Sequence, residues 1–173
     1  VYNIPKLQGE YTHKPSGSWS FSSIGETSRG FMSERMGYEL IRAENHAYAG
    51  LTVRRTVLKL DPSHFVIIDE FISEDTVKAE ALFHLHPDCT IHDNAIENHG
   101  ETMYISSTGA LSTEECMISL RYNEESPSKL LRISGSLPHN GTMVTILSTV
   151  HVETEILPVV LQDSGRVLTD SEA

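Results

Sequence analysis

Three groups of residues in this chain combine side-chain type and spacing in a way that can carry chemistry. The first is His84-x-His86-x-Asp88. Residues at i, i+2 and i+4 of a strand share a face, so two imidazoles and a carboxylate there can converge on zinc. Pro87 opposes that reading, because it breaks the strand before Asp88 and leaves the histidines as ordinary strand and turn residues. His92, Asp93 and His99 follow nearby, but their spacing fixes no further ligand. The second group is His46 and Tyr48, just ahead of Gly50. In a loop at the end of a β-domain, an imidazole and a phenol can hydrogen-bond ligand hydroxyls or pass a proton. A structural loop with Tyr48 packed beneath it explains the same residues and is preferred. The third group is Arg54 and Arg55, which point to opposite faces of a strand. One of them can grip a carboxylate in bidentate fashion.

The stretch that must position these groups runs from Leu51 to Pro87. Leu51–Leu60 and Phe65–Phe71 are rich in β-branched and large apolar residues, separated by the turn signal Asp61-Pro62-Ser63. A turn centred on Pro62 and Ser63 sets Leu60 opposite Phe65, Leu58 opposite Ile67 and Val57 opposite Ile68. It also sets Thr56 opposite Asp69 and Arg55 opposite Glu70. That pairing occupies Arg55 and leaves Arg54 as the better ligand contact. The third run, from Val77, alternates: Val77, Ala79, Ala81, Phe83 and Leu85 face one way, Lys78, Glu80, Leu82, His84 and His86 the other. Together the three runs read as a consecutive antiparallel meander.

Around it the sequence predicts strands at 19–24, 37–43, 101–107, 116–122, 129–134 and 142–149, with at most a short one within 88–100. ENHAYAG (44–50), 123–128 with Pro127, and 138–141 read as loops. Residues 1–18 read as a lead-in arm and 162–173 as a polar tail that frays. No apolar stripe of helical period extends over three turns. Eight to ten strands with turn signals every 8–12 residues or so predict an all-β fold, an antiparallel β-sandwich or jelly roll, in one domain spanning 1–173.

Composition narrows the function classes. A net charge of −11 opposes nucleic-acid binding and opposes this domain alone gripping a polyanionic polysaccharide. Hydrophobic residues make up 39% of the chain, and no run approaches the roughly 18 apolar residues of a transmembrane helix. Cys89 and Cys116 are too few for a disulfide framework or a zinc ribbon, and either pair or remain free thiols. The nine histidines show no Ser/His/Asp or Cys/His spacing, so no hydrolytic triad can be argued. Trp19 and Tyr11 can stack on a sugar ring or fill a domain interface. Asn140-Gly141-Thr142 fits a glycosylation acceptor and equally a turn.

Three pieces in fixed order, ENHAYAGLTVRRTVLKL, HFVIIDEF and ALFHLHPD, followed by SLPHNGTMVTIL, resemble the C-terminal β-sandwich domain of heparinase II/III-like proteins. The likeness covers about residues 37–150 and rests on order and spacing. It implies a distorted supersandwich that follows an N-terminal α-helical toroid, with an acidic polysaccharide lying in the cleft between them. It further implies β-elimination, in which a Tyr and a His serve as base and acid. Those catalytic groups, and an H-x-H-x-D strand bearing a metal site, belong in the family to regions outside the matching motifs. The expected role is therefore to brace the toroid and wall the cleft without catalysing alone. His46, Tyr48 and Arg54 are the expected substrate contacts. His84 and His86 are the expected metal positions should zinc bind, with no other cofactor. The opening VYNIPKLQGE, without an initiator Met, suggests a piece of a larger protein, and the resemblance suggests a periplasmic or secreted location. The alternative is a stand-alone carbohydrate-binding or structural sandwich module.

Overall fold

The computed structural model describes residues 5–10, 13–17, 20–24, 26, 31–35 and 38–151. Trp19, Tyr11 and the polar tail lie outside them. The described fold is all antiparallel strand. The larger sheet has eight strands in the order β4 (Phe31–Arg35), β5 (Tyr38–Tyr48), β6 (Leu51–Asp61), β7 (His64–Ile72), β14 (Gly141–Ser148), β11 (Glu101–Ser107), β10 (Ala95–Asn98) and β9 (Thr90–His92). A four-stranded sheet runs β1 (Pro5–Leu7), β8 (Val77–His84), β13 (Glu124–Leu137) and β12 (Ala110–Arg121). β2 (His13–Gly17) and β3 (Ser20–Ile24) form a separate hairpin. Among the described residues there are thus fourteen strands rather than eight to ten. The short ones at 5–7, 90–92 and 95–98 carry too few residues to show a period.

Between the two sheets lies one apolar core, in which Leu51, Val53, Phe71, Ile105 and Met143 meet Ala79, Ala81, Leu131 and Ile133. A second cluster, Leu40, Leu58, Val66, Ile68, Val144 and Ile146, sits on the opposite face of the large sheet and is also buried. Apolar residues on both faces explain why Phe65–Ile68 of β7 and Met143–Leu147 of β14 read as nearly continuous hydrophobic runs instead of a clean alternation.

Two sequence-based expectations fail here, each for a physical reason. The run from Val77 does not continue the meander. β14 occupies the edge of β7 where β8 would have paired, and β8 crosses to the other sheet to lie between β1 and β13. Small Ala79 and Ala81 then face the core. Residues 124–128 are strand, not loop: the chain reverses at Tyr122-Asn123, with Asn123 in the left-handed region (φ 61°). Pro127 is tolerated because β13 has a second neighbour, β8, only from Leu130 onward.

The β6–β7 register is the more consequential correction. At the turn itself the expectation holds, with Asp61 opposite His64. The Asp61 carboxylate accepts from the Ser63 amide (2.7 Å) and meets the His64 imidazole, and these contacts hold its carboxyl below the usual value, His64 contributing most. A bulge between Lys59 and Asp61 then shifts every later pair by one: Lys59 faces Phe65, Val57 faces Ile67, Arg55 faces Asp69 and Arg54 faces Glu70. One extra residue in a strand is enough to exchange partners along its whole length.

Gly141 begins β14 at a close approach where a β-carbon would meet Leu137 Cβ at 2.5 Å and the Pro138 carbonyl at 2.8 Å. Gly141→Ala is expected to lower stability by about 1–3 kcal/mol, measured by chemical denaturation, whereas alanine at exposed Thr142 should be nearly neutral.

Candidate functional site

His46 and Tyr48 do not lie in a free loop, because β5 continues through both. In a regular strand they would share a face. A bulge between Asn45 and Tyr48, with the Ala47 amide donating to Asn45 Oδ1 (2.7 Å), separates them. Tyr48 comes to face Leu51 and packs against the inter-sheet core. Its hydroxyl is buried beside the Leu7 backbone, but no well-formed hydrogen bond reaches it. Burial therefore pushes the phenol above its ordinary value of 10.0, with Leu7 only partly offsetting it and nearby Glu10 and Glu80 adding to it. A phenol so placed is a poor general base, since the phenolate is the form that burial disfavours.

His46 turns to the outer face of the large sheet and joins a polar ladder. Its Nδ1 lies 3.1 Å from Thr52 Oγ1 and its Nε2 3.6 Å from Glu44 Oε2. Glu44, Arg54 and Glu70 follow one another across β5, β6 and β7 as direct register partners. Arg54 Nε donates to Glu44 Oε1 at 2.6 Å, and its Nη1 lies 3.6 Å from Glu70 Oε1. Glu70 Oε2 is buried with no hydrogen-bond partner. One row further along the same face, Arg42 Nε donates to Thr56 Oγ1 (3.1 Å). The structure thus brings His46 and Arg54 together and sends Tyr48 to the other face. Two carboxylates already surround Arg54, so an incoming uronate would have to displace one of them. Ligand hydroxyls, which can donate to Glu44, Glu70 and His46, suit the row better.

Sequence reasoning missed Glu44 and Glu70 as partners of Arg54, and Asp69 as the partner of Arg55, because all three depend on the two bulges. Arg55 points between the sheets. Its Nε and Nη2 donate to the two Asp69 oxygens at 2.6 and 2.8 Å, and its guanidinium lies 5.6 Å from the Phe83 ring centre. Asp69 is fully buried; burial raises its carboxyl pKa, and the Arg55 bonds pull it back only in part. On the small sheet Glu80, also buried, is held by Lys6 (2.9 Å) and Arg132, and Arg132 in turn reaches Glu114.

The residues of the zinc pattern do not share a face. His84 is the last residue of β8, while His86 and Asp88 lie beyond the strand end. Asp88 Oδ2 lies 3.4 Å from His86 Nδ1 and 3.5 Å from His99 Nε2, and His86 Nδ1 already accepts from the Asp88 amide. Among the described residues no group of three or more His, Cys, Asp or Glu side chains is arranged to hold a metal ion. These residues do not fit a zinc centre. Cys89 and Cys116 are both free, and burial together with Glu115 and Glu114 pushes the Cys116 thiol up, away from its reactive form.

The fold defines an antiparallel β-sandwich of unequal sheets, carrying charge-neutralised side-chain rows. The chain belongs to the heparinase II/III-like family: the sequence model of that family's C-terminal region matches residues 7–156. Solved structures with a similar fold include the heparan sulfate lyase HepC from Pedobacter heparinus, 20% identical over 86% of this chain with a TM-score of 0.66. Another is a heparinase III, 18% identical over 88% of this chain with a TM-score of 0.63. In both cases the match covers 24% of the other chain, so this chain spans about a quarter of their length. No curated protein sequence matches it.

Three substitutions separate the roles of these residues. Arg55→Ala should cost about 3–5 kcal/mol at neutral pH by leaving a buried carboxylate unpaired. Arg54→Ala should cost about 0.5–1 kcal/mol and less at high salt. The pH dependence of the Arg55→Ala deficit has a definite sign. With its folded-state pKa raised above the unfolded 3.8, Asp69 favours the fold when protonated, so the deficit is smallest in acid and grows as pH rises through the folded value. Denaturation series at several pH values measure both effects. Tyr48→Phe should leave stability within about 1 kcal/mol, because the hydroxyl it removes makes no bond.

Proposed function

We propose that this chain is the β-sandwich portion of a polysaccharide lyase that cleaves uronic-acid polymers by β-elimination. In this reading an N-terminal α-helical toroid of the same parent protein supplies the catalytic groups, and the sandwich braces it and walls one side of the cleft. The observation that carries the proposal is the family match over residues 7–156. β-Elimination needs a base within reach of the sugar C–H and an acid at the leaving oxygen. Tyr48 is buried with a raised pKa and lies on the opposite face of the sheet from His46, so the two cannot share one substrate.

The ladder of His46, Glu44, Arg54 and Glu70 is the part of the sandwich we assign to the cleft wall. Arg54 and Glu70 are each 26% exposed and Glu44 27%, while His46 stands further out at 41%. Rigid strand positions keep such groups oriented, so a sugar hydroxyl pays little ordering entropy when it meets them.

The test is to incubate the chain with heparan sulfate and with alginate and follow the ultraviolet absorbance of newly formed unsaturated uronate. No product is expected from the chain alone, and turnover by it would overturn the division of labour. In the full-length parent, Arg54→Ala is expected to raise KM with little change in kcat, because a wall contact made equally before and during reaction contributes uniform binding.

A further inference from the structure

Glu44 holds two groups at once, one through each carboxylate oxygen. Its Oε1 accepts from Arg54 Nε at 2.6 Å, and its Oε2 lies 3.6 Å from His46 Nε2. On the other side of Arg54, Glu70 Oε1 lies 3.6 Å from Nη1. Two carboxylates against one guanidinium leave this row negative while the imidazole is neutral. Glu26 adds to that sign from beside β5: its carbonyl accepts the His46 amide at 2.8 Å, and its side chain is exposed. Arg42, a further cation one row along, is buried against Thr56. A sugar carboxylate approaching Arg54 therefore meets an excess of negative charge.

The imidazole is placed to change this. Imidazole is the side chain that ordinarily changes charge between about pH 5 and 8. His46 is exposed, so protons reach it, and its Nδ1 sits 3.1 Å from the Thr52 hydroxyl. A hydroxyl accepts from a ring N–H as readily as it donates to a bare ring nitrogen, so Thr52 holds the ring in either charge state. Protonation then sets a full positive charge 3.6 Å from Glu44 Oε2. The row of Glu44, Arg54, Glu70 and His46 becomes neutral, and Glu44 divides its charge between two cations.

We propose that His46 is a proton-operated gate on this face. Protonated, it draws Glu44 toward itself and opens Arg54 to the carboxylate of a uronic-acid residue. Neutral, it leaves a row suited to hydroxyl donors alone. This inference rests on the assignment of the row to the cleft wall, and adds the condition under which that wall accepts an acidic sugar.

The test titrates the isotope-labelled chain with an alginate oligosaccharide at about pH 5.5 and about pH 7.5, a range that spans imidazole titration and leaves uronate carboxyls ionised. Ionic strength is held constant, because salt screens exposed charges. Amide shifts at residues 44–54 and at Glu70 are expected, with affinity about fivefold tighter at the lower pH, the effect of one unit charge at contact distance in water. His46→Lys, charged at both pH values, should bind tightly at both, and His46→Gln weakly at both. His99→Gln, at the β10–β11 turn, should keep the response of the unaltered chain, which separates the gate from the general loss of negative charge in acid. Shifts at the row with no pH response, or a response that survives in His46→Gln, would overturn the gate and leave the cleft-wall assignment standing. Shifts away from the row, or no binding at either pH, would overturn both.

Discussion

A carboxylate and a guanidinium sealed between two β-sheets set the terms for the rest of this fold. Asp69 is wholly removed from water while Arg55 keeps its side chain 17% exposed, and the buried carboxylate is not tolerable there without the guanidinium. Their two hydrogen bonds require Arg55 and Asp69 to lie directly opposite across β6 and β7. The turn at Pro62-Ser63 by itself would place Arg55 beside Glu70. The bulge next to Leu60 reconciles the two demands: it keeps the tight turn and still delivers the buried pair. A slip back by one residue would carry Asp69 and Val57 out of register together. The bulge is therefore a specified feature of the strand.

The same register decides the surface. With Arg55 turned inward, Arg54 must point outward, where Glu44 and Glu70 flank it. A second bulge near Asn45 places His46 in that row and turns Tyr48 toward the core. A base, an acid and a free cation on one face would have suggested catalysis. What the described strands present instead is a set of charges largely satisfied within the protein, on a sheet stiffened by apolar packing on both faces. Such a surface is built to hold its shape against a neighbour or a ligand. That rigidity is what supports the proposed supporting role of the sandwich.

Much of this was legible in the residues alone. Alternation and turn chemistry identify an all-β chain, place β6, β7 and β11 closely, and locate the reversal at Asp61-Pro62-Ser63. The order of the pieces ENHAYAGLTVRRTVLKL, HFVIIDEF and ALFHLHPD points to the right family, as the match over residues 7–156 shows. What escaped was of two kinds. Pro127 and the polar stretch around it look like a loop, yet they form strand where β13 has only one neighbour. The run Val77–His84 looks like the next strand of a meander, yet β14, some sixty residues further along the chain, takes the place beside β7.

The sequence by itself determined the fold class, the turns and the candidate residues, because periodicity, turn propensity and composition are local properties that each segment carries with it. Which residues face one another was decided only by tertiary structure. A bulge leaves no clear mark on a string of β-formers, and the energy that selects it comes from burying Asp69 against Arg55 under the opposite sheet. The pairing of β8 with β13, and of β7 with β14, likewise rests on contacts between segments far apart in the chain. No local pattern records those contacts, and they settle which face each candidate side chain occupies.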